Sequence, residues 1–202
     1  MRQAVAILFL LSIPATALGG GWTGSLWGGF GFGRNVGQSD FVFPSAALGR
    51  AIGRSNAVAV TFSYLPYPDV DTGVGCLGED CPTEAVLTAR VLHFGAGLRV
   101  GGGGDAARAY GEIAPALYHG TWTRRIGYAD PSLNVEDSME SWFVGFHLAL
   151  MIPIRITRSA SIELGARYLF SESVTSELVG LEGAEIEGLR DTQILAGLAL
   201  RF

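Results

Sequence analysis

Past residue 17 the 202-residue chain contains no run of 18 consecutive apolar residues. That excludes a membrane-crossing helix, which needs about 20. Basic residues are not in excess: Lys and Arg total 14 against 19 Asp and Glu, a formal charge of −5. A nucleic-acid partner is therefore not expected, because such binding rests on neutralising phosphates. Charged residues are only 16% and apolar residues 49%, a balance that argues against disorder. Cysteine is nearly absent. The only two lie in Cys76-Leu-Gly-Glu-Asp-Cys81, a spacing that is not a Cys-x-x-Cys redox pair. No histidine lies nearby to complete a metal site. An oxidising compartment would let the two bridge, so a disulfide closing a small loop is expected. What the chain has in surplus is glycine, 29 residues, about twice the usual share. Each interior glycine costs a helix about 1 kcal/mol relative to alanine, so a helix bundle or coiled coil is disfavoured.

The first 17 residues read as a leader. Arg2 supplies a positive start, Ala4 to Ile13 is apolar, and Pro14 breaks the run. Ala15-Thr16-Ala17 then gives a small-x-small cleavage signature. The expected mature domain is 18–202.

Beyond it the recurring pattern is period-two alternation, the signature of a half-buried strand. Leu26, Phe30 and Phe32 share one parity with Trp22; Val58, Val60, Phe62 and Tyr64 share another segment's. The pattern returns at Trp142, Val144, Phe146, Leu148, Leu150 and Ile152, then at Ile162, Leu164, Ala166, Tyr168 and Phe170. It closes with Ile194, Ala196, Leu198, Leu200 and Phe202. Three weaker segments complete eight. Ser45 to Ile52 is interrupted by Arg50, and 84–100 is apolar on both parities, which suggests a bulge or a different register. In 108–122, Ile113, Pro115 and Leu117 oppose Tyr110, Glu112 and Tyr118, and Pro115 removes a ladder donor.

Connections alternate in length. Long ones are expected at about 34–44, 66–83, 123–139 and 171–188, with short turns near 53–56, 101–105 and 157–159. The four-glycine stretch 101–104 reads as a turn, since neither a lysine nor a helical pattern follows to make a phosphate cradle. This is the plan of an all-β, eight-stranded antiparallel up-and-down transmembrane barrel. The small parity is too rich in glycine and alanine to coat a solvated exterior, whereas the bulky parity suits hydrocarbon. A soluble, lipocalin-like barrel with ordinary core aromatics is the alternative. Tyr64, Tyr67, Tyr118, Trp122, Trp142, Tyr168 and Phe170 fall near the long-loop ends; Trp22, Tyr110 and Phe202 fall near the short turns. They are expected to form two interfacial bands.

The alternating segments and the closing Ile194-Leu195-Ala196-Gly197-Leu198-Ala199-Leu200-Arg201-Phe202 resemble small outer-membrane barrels of the OmpA and OmpX type. The resemblance implies location in the cell outer membrane, reached through the periplasm. It also implies contact with outer-membrane lipid and lipopolysaccharide. Leu198, Leu200 and Phe202 would be the signal presented to the barrel-assembly machinery. It implies no activity and no cofactor, and a closed barrel needs no partner to protect its edges, so a monomer is expected.

Glu112, His147, Glu163, Arg167, Gln193 and Arg201 fall on the inward parity. In so narrow an interior they would have to pair, forming a plug; a gated pore is the alternative. His147 with Glu163 as an oriented base lacks a nucleophile. None of His93, His119 and His147 has a serine two residues on, the motif of lipid A deacylases, and His119 near Thr121 only weakly imitates a transferase. The long loops carry Asp69, Asp71, Glu79 and Asp80, and Glu172, Glu177, Glu182, Glu185 and Glu187. They suit a solvated rim or, in a sharper reading, divalent cations bridging to lipid phosphates. A non-enzymatic surface role comes first, a narrow channel second, a lipid A-modifying enzyme third.

Overall fold

The computed structural model describes residues 21–33, 40–52, 56–72, 81–101 and 109–202. The leader, Cys76, Glu79, Asp80 and the glycines 102–104 lie outside the described residues. Eight long strands form the wall: β1 (Trp22–Gly33), β2 (Asp40–Ala51), β3 (Asn56–Pro66), β5 (Pro82–Gly101), β6 (Tyr110–Tyr128), β7 (Val135–Arg155), β8 (Ala160–Ser171) and β11 (Arg190–Arg201). Every neighbouring pair is antiparallel, β3 joins β5, and β1 joins β11 along Thr23↔Arg201 to Gly33↔Asp191. The sheet thus closes on itself in an up-and-down barrel. Short strands β4 (Val70–Asp71), β9 (Val174–Thr175) and β10 (Glu185–Ile186) decorate the long-loop end.

Sidedness follows the alternation. Val60, Ile113, Phe146, Leu148, Leu150, Ile162 and Leu198 are all exposed, part of a band of large apolar side chains around the wall. A water-soluble monomer rarely shows a contiguous apolar patch above a few hundred Å². Hydrocarbon accepts such a surface, and only a closed sheet satisfies its backbone there. The barrel is a transmembrane barrel, with the bulky side chains outward.

Several expectations need correction. β2 begins at Asp40, inside the expected loop 34–44, and sends Phe41 and Phe43 into the lumen. Trp27, a bulky residue on the otherwise small, glycine-rich parity of β1, is also inside. Tyr67, Tyr110, Tyr118 and Trp122 are buried inward rather than banded at the interfaces. β5 has no central bulge: its only register shift lies between Pro82 and Glu84. It is apolar on both parities because Ala85, Ala89 and Val91 line the lumen. Pro115 leaves the β5–β6 register unshifted but interrupts the ladder, the pairing passing from Gly95↔Ala116 straight to Leu98↔Ile113, the local irregularity its missing donor predicts. The third long loop is mostly strand. β6 and β7 pair as far as Ile126↔Val135 and turn through a 3-10 segment, Pro131–Leu133, with Asp130 as its cap. Bonds from the Ser132 backbone N–H (2.9 Å) and hydroxyl (2.7 Å) hold the Asp130 carboxyl below its usual range.

These strands overshoot a bilayer. At about 3.4 Å per residue the 21-residue β7 is about 70 Å long, whereas about 9–11 tilted residues suffice to cross. Down the outward face the boundary is sharp. Leu92, His119 and Trp142 lie on one cross-strand rung, and Arg90, Thr121 and Glu140 on the adjacent, outer rung. On the inner side of the Trp142 rung the β7 face is Val144, Phe146, Leu148, Leu150, Ile152 and Ile154; beyond it come Glu140, Ser138 and Glu136. β5, β6 and β7 therefore continue past the apolar band as a projecting sheet.

Candidate functional site

The lumen is where the sequence concentrates its buried polar chemistry. Glycine creates the room: a Cβ at Gly29 would stand 2.1 Å from the Phe43 ring, and one at Gly31 2.4 Å from Phe41. Small residues on β1 thus let the rings of their β2 partners lie over them inside the barrel. Gly95 does the same for His147, whose Cε1 would lie 2.5 Å from an added Cβ.

In the half nearer the short turns, Glu112 is the hub. Its Oε2 accepts from Arg99 Nε at 2.5 Å, and its Oε1 accepts from Thr61 Oγ1 at 3.0 Å and lies 2.8 Å from His147 Nε2. His147 Nδ1 lies 3.0 Å from His93 Nε2, giving a chain Arg99–Glu112–His147–His93 through the lumen. Glu163 binds differently from expectation. It accepts from Trp27 Nε1 at 2.8 Å and Tyr110 hydroxyl at 3.1 Å and does not orient His147. The Arg99 guanidinium stacks over the Trp27 and Tyr110 rings at 5.7 and 5.1 Å, linking the two carboxylates' surroundings through cation–π contact.

Arg167 forms a second knot without a carboxylate. Its Nε and Nη2 donate to Gln193 Oε1 at 2.8 and 2.6 Å, Nη2 also reaches Ser63 Oγ at 2.9 Å, and Nη1 reaches Ser45 Oγ at 3.3 Å. The Phe43 ring lies 5.5 Å from the guanidinium. Asp191, two residues from Gln193, is taken instead by the Tyr67 hydroxyl. Among the described residues, then, Arg99 is ion-paired and Arg167 is held by neutral acceptors. Arg201 is a correction: it has the inward parity but sits exposed at the end of β11, away from both knots.

Toward the long loops the lumen turns apolar. Tyr118 and Phe143 stack at 5.2 Å, and Trp122 packs on Phe143 at 5.8 Å. The fourth loop folds onto this layer, burying Leu178 and Leu189. It is tied to β7 by Val179 N–H to Asp137 Oδ2 at 3.0 Å and Glu177 N–H to Met139 Sδ at 3.5 Å, and to β6 by Arg124 donating to the Val179 carbonyl. Gly180 and Gly183, at φ +69° and +75°, make the turn that β9 and β10 flank.

Of the imidazole nitrogens in the lumen, His93 Nδ1 alone has no hydrogen-bond partner among the described residues. Both His147 nitrogens are engaged by His93 and Glu112, and His119 faces outward against the Trp142 ring, 3.6 Å from Glu140. Among the described residues no group of three His, Cys, Asp or Glu is arranged to hold a metal. Glu172, one of the acidic-loop carboxylates, accepts from the Val144 N–H at 3.0 Å. Sequence reading missed Trp27, Thr61, Arg99 and Ser45. The available signal was the parity of Trp27 with Gly29 and Gly31, small neighbours that leave room for it inside. Among the described residues no cysteine is free.

No protein-family model matches the chain, and no curated protein matches it. Solved structures of like fold do. Neisserial surface protein A superposes with TM-score 0.59 at 11% identity, covering 90% of this chain and 97% of that one. A major outer membrane protein from Thermus thermophilus gives 0.58 at 14%, covering 90% and 99%. Ail, the attachment invasion locus protein of Yersinia pestis, in complex with the heparin analogue sucrose octasulfate, gives 0.55 at 10%, covering 91% and 99%. The chain has the fold of these small outer-membrane barrels.

Proposed function

We propose that the protein is exported to an outer membrane, where it serves as a closed, non-enzymatic barrel presenting its projecting sheet and fourth loop to the outside. The observation that carries this reading is the filled lumen, with Arg167, His93, His147 and Gln193 all at 2% exposure or less between the Arg99–Glu112 pair and the Leu178 cap. Eight strands leave an interior just wide enough for side chains, and here the side chains are bonded to one another. The leader at 1–17, a Cys76–Cys81 bridge and the Leu198, Leu200, Phe202 assembly signal belong to the same proposal, as does a monomer bathed in outer-membrane lipid and lipopolysaccharide. Attachment is part of the name of the Yersinia pestis barrel; the surface role proposed here rests on this chain's own geometry.

Planar-bilayer recording of the refolded protein tests it. A closed lumen gives no defined conductance steps; reproducible steps would replace this reading with the narrow channel. An altered lipid A mass spectrum on expression would replace it with a lipid-modifying enzyme. Thiol labelling under denaturing, non-reducing conditions should leave both cysteines unmodified, and modification of either would remove the bridge.

A further inference from the structure

Charge is divided between the two ends of the barrel. Among the described residues every Asp and Glu side chain belongs to the long-loop end or to the lumen, and none stands on the short-turn rim. Arginine remains there. Arg155 closes β7, Arg158 sits in the turn to β8, and Arg201 closes β11, all three exposed. The backbone gathers them. Ile156 and Thr157 N–H both donate to the Ala160 carbonyl, at 2.9 and 3.0 Å, and the Thr157 hydroxyl accepts from the Ser159 and Ala160 N–H groups, which fixes the turn. The Arg201 N–H donates to the Ser159 carbonyl at 2.8 Å and seats the end of β11 against that turn. Arg155 Nε donates to the Thr157 carbonyl at 3.0 Å, which holds its guanidinium beside the same turn. Among the described residues none of the three arginines makes an ion pair.

Next to the turn the lipid-facing wall has a notch. Ala160 pairs with Leu200 of β11 and is bonded to Ile156 on its other side, and both of these bulky neighbours are exposed. One rung deeper, Ile154, Ile162 and Leu198 continue the apolar face. A small side chain thus stands between two large ones at the point where hydrocarbon gives way to arginine.

We infer that this rim binds an anionic phospholipid of the periplasmic leaflet, its phosphate held by Arg155, Arg158 and Arg201 and an acyl chain lying in the Ala160 notch. The inference rests on the outer-membrane seating proposed above, in which short turns face the periplasm, and not on the closed lumen. A guanidinium presents a planar fork that takes two phosphate oxygens at once, and its long stem reaches headgroups from the edge of the hydrocarbon. Charge selects the headgroup. A zwitterionic lipid brings an ammonium, which would stand among three cations with no carboxylate to receive it; an anionic lipid brings none. The acidic long loops lie across the bilayer, about 30 Å away, beyond the roughly 8–10 Å over which a charge acts in physiological salt. They do not cancel the rim.

The test titrates the refolded chain in zwitterionic micelles with dihexanoyl phosphatidylglycerol and follows the backbone amide resonances of Arg158, Ser159 and Arg201. These should shift and saturate, with binding at least about tenfold tighter than for dihexanoyl phosphatidylcholine. Arg155→Gln, Arg158→Gln and Arg201→Gln together should reduce the preference to within about twofold. Ala160→Leu fills the notch, keeps all three guanidinia and should weaken the anionic lipid at least about threefold. Arg190→Gln, at the long-loop end, should leave the preference intact. Equal binding of the two lipids, a preference that survives the triple substitution, or one that Arg190→Gln also erases overturns the site. Undiminished binding in Ala160→Leu, or equal shifts with inorganic phosphate alone, overturns it as a lipid site in favour of a bare cationic rim. Absence of the expressed protein from the outer-membrane fraction would remove the seating while a lipid preference measured in micelles still stood, so the two failures are separable.

Discussion

Replacing Glu112 with alanine is expected to destabilise the folded barrel by about 3–5 kcal/mol, the cost of breaking a buried pair by removing one partner. The size follows from what the carboxylate leaves behind. Arg99 is almost wholly buried and Glu112 is its ion-pair partner, with the Trp27 and Tyr110 rings as its remaining named contacts. Its Nη2 already lacks a partner, so a second loss leaves a guanidinium with little to replace water. His147 and Thr61 lose an acceptor at the same time, each costing about 1–3 kcal/mol if no water enters. Urea titration of the refolded protein in micelles, followed by tryptophan fluorescence, measures the difference. Glu112→Gln should fall between wild type and alanine, because the amide keeps an acceptor for one neighbour and loses the charge. A loss below about 1 kcal/mol for alanine would mean that water readily reaches Arg99. The lumen would then be a wet passage, and the closed-barrel proposal would fall with it.

Much of this architecture is written in the alternation. The β8 residues Ile162, Leu164, Ala166 and Tyr168 opposite Glu163, Gly165 and Arg167 stand as the period predicts, and the same holds along β7 and β11. Alternation fixes the face of a residue and says nothing of its depth. Arg201 shows this: the parity is inward, yet the strand ends there and the side chain meets solvent. Aromatics mislead for a different reason. Bulk alone points to the lipid face, but Phe41, Phe43, Tyr67 and Tyr118 fill space that Gly29 and Gly31 on β1 and the other small inward residues vacate. Volume inside a barrel is conserved between strands, not within one, so no single segment reveals it. The projecting sheet is hidden by the same logic. Thr123 and Arg125 on β6, and Glu136, Ser138 and Glu140 on β7, carry no apolar outward residue, so the pattern resembles a loop where it is a strand in water.

Which face meets hydrocarbon can be measured by placing one charge at two depths. Leu148 lies outward on β7, beside Ile113 of β6 and Tyr168 of β8, within the apolar band. Leu148→Arg should cost about 2–4 kcal/mol in a lipid bilayer, the range for a lipid-facing arginine near the midplane. Ile156 is also exposed but sits at the β7–β8 turn, bonded through its N–H to Ala160. Ile156→Arg should cost about 0–1 kcal/mol, the value near an interface, where the long side chain reaches headgroups and water. The contrast matters more than either number. A barrel standing in water would accept both arginines at about the same small cost, since surface substitutions stay within about 0.5 kcal/mol. Equal effects in urea titrations of the two variants would therefore place Leu148 against water and dissolve the membrane assignment. A gap of about 2 kcal/mol or more, shrinking as the arginine is moved from Leu148 to Leu150, Ile152 and Ile154, would trace the edge of the hydrocarbon along β7. The same scan run the other way, from Phe146 through Trp142 to Glu140, should reach the interface at the rung where the outward face of β7 passes from Trp142 to Glu140.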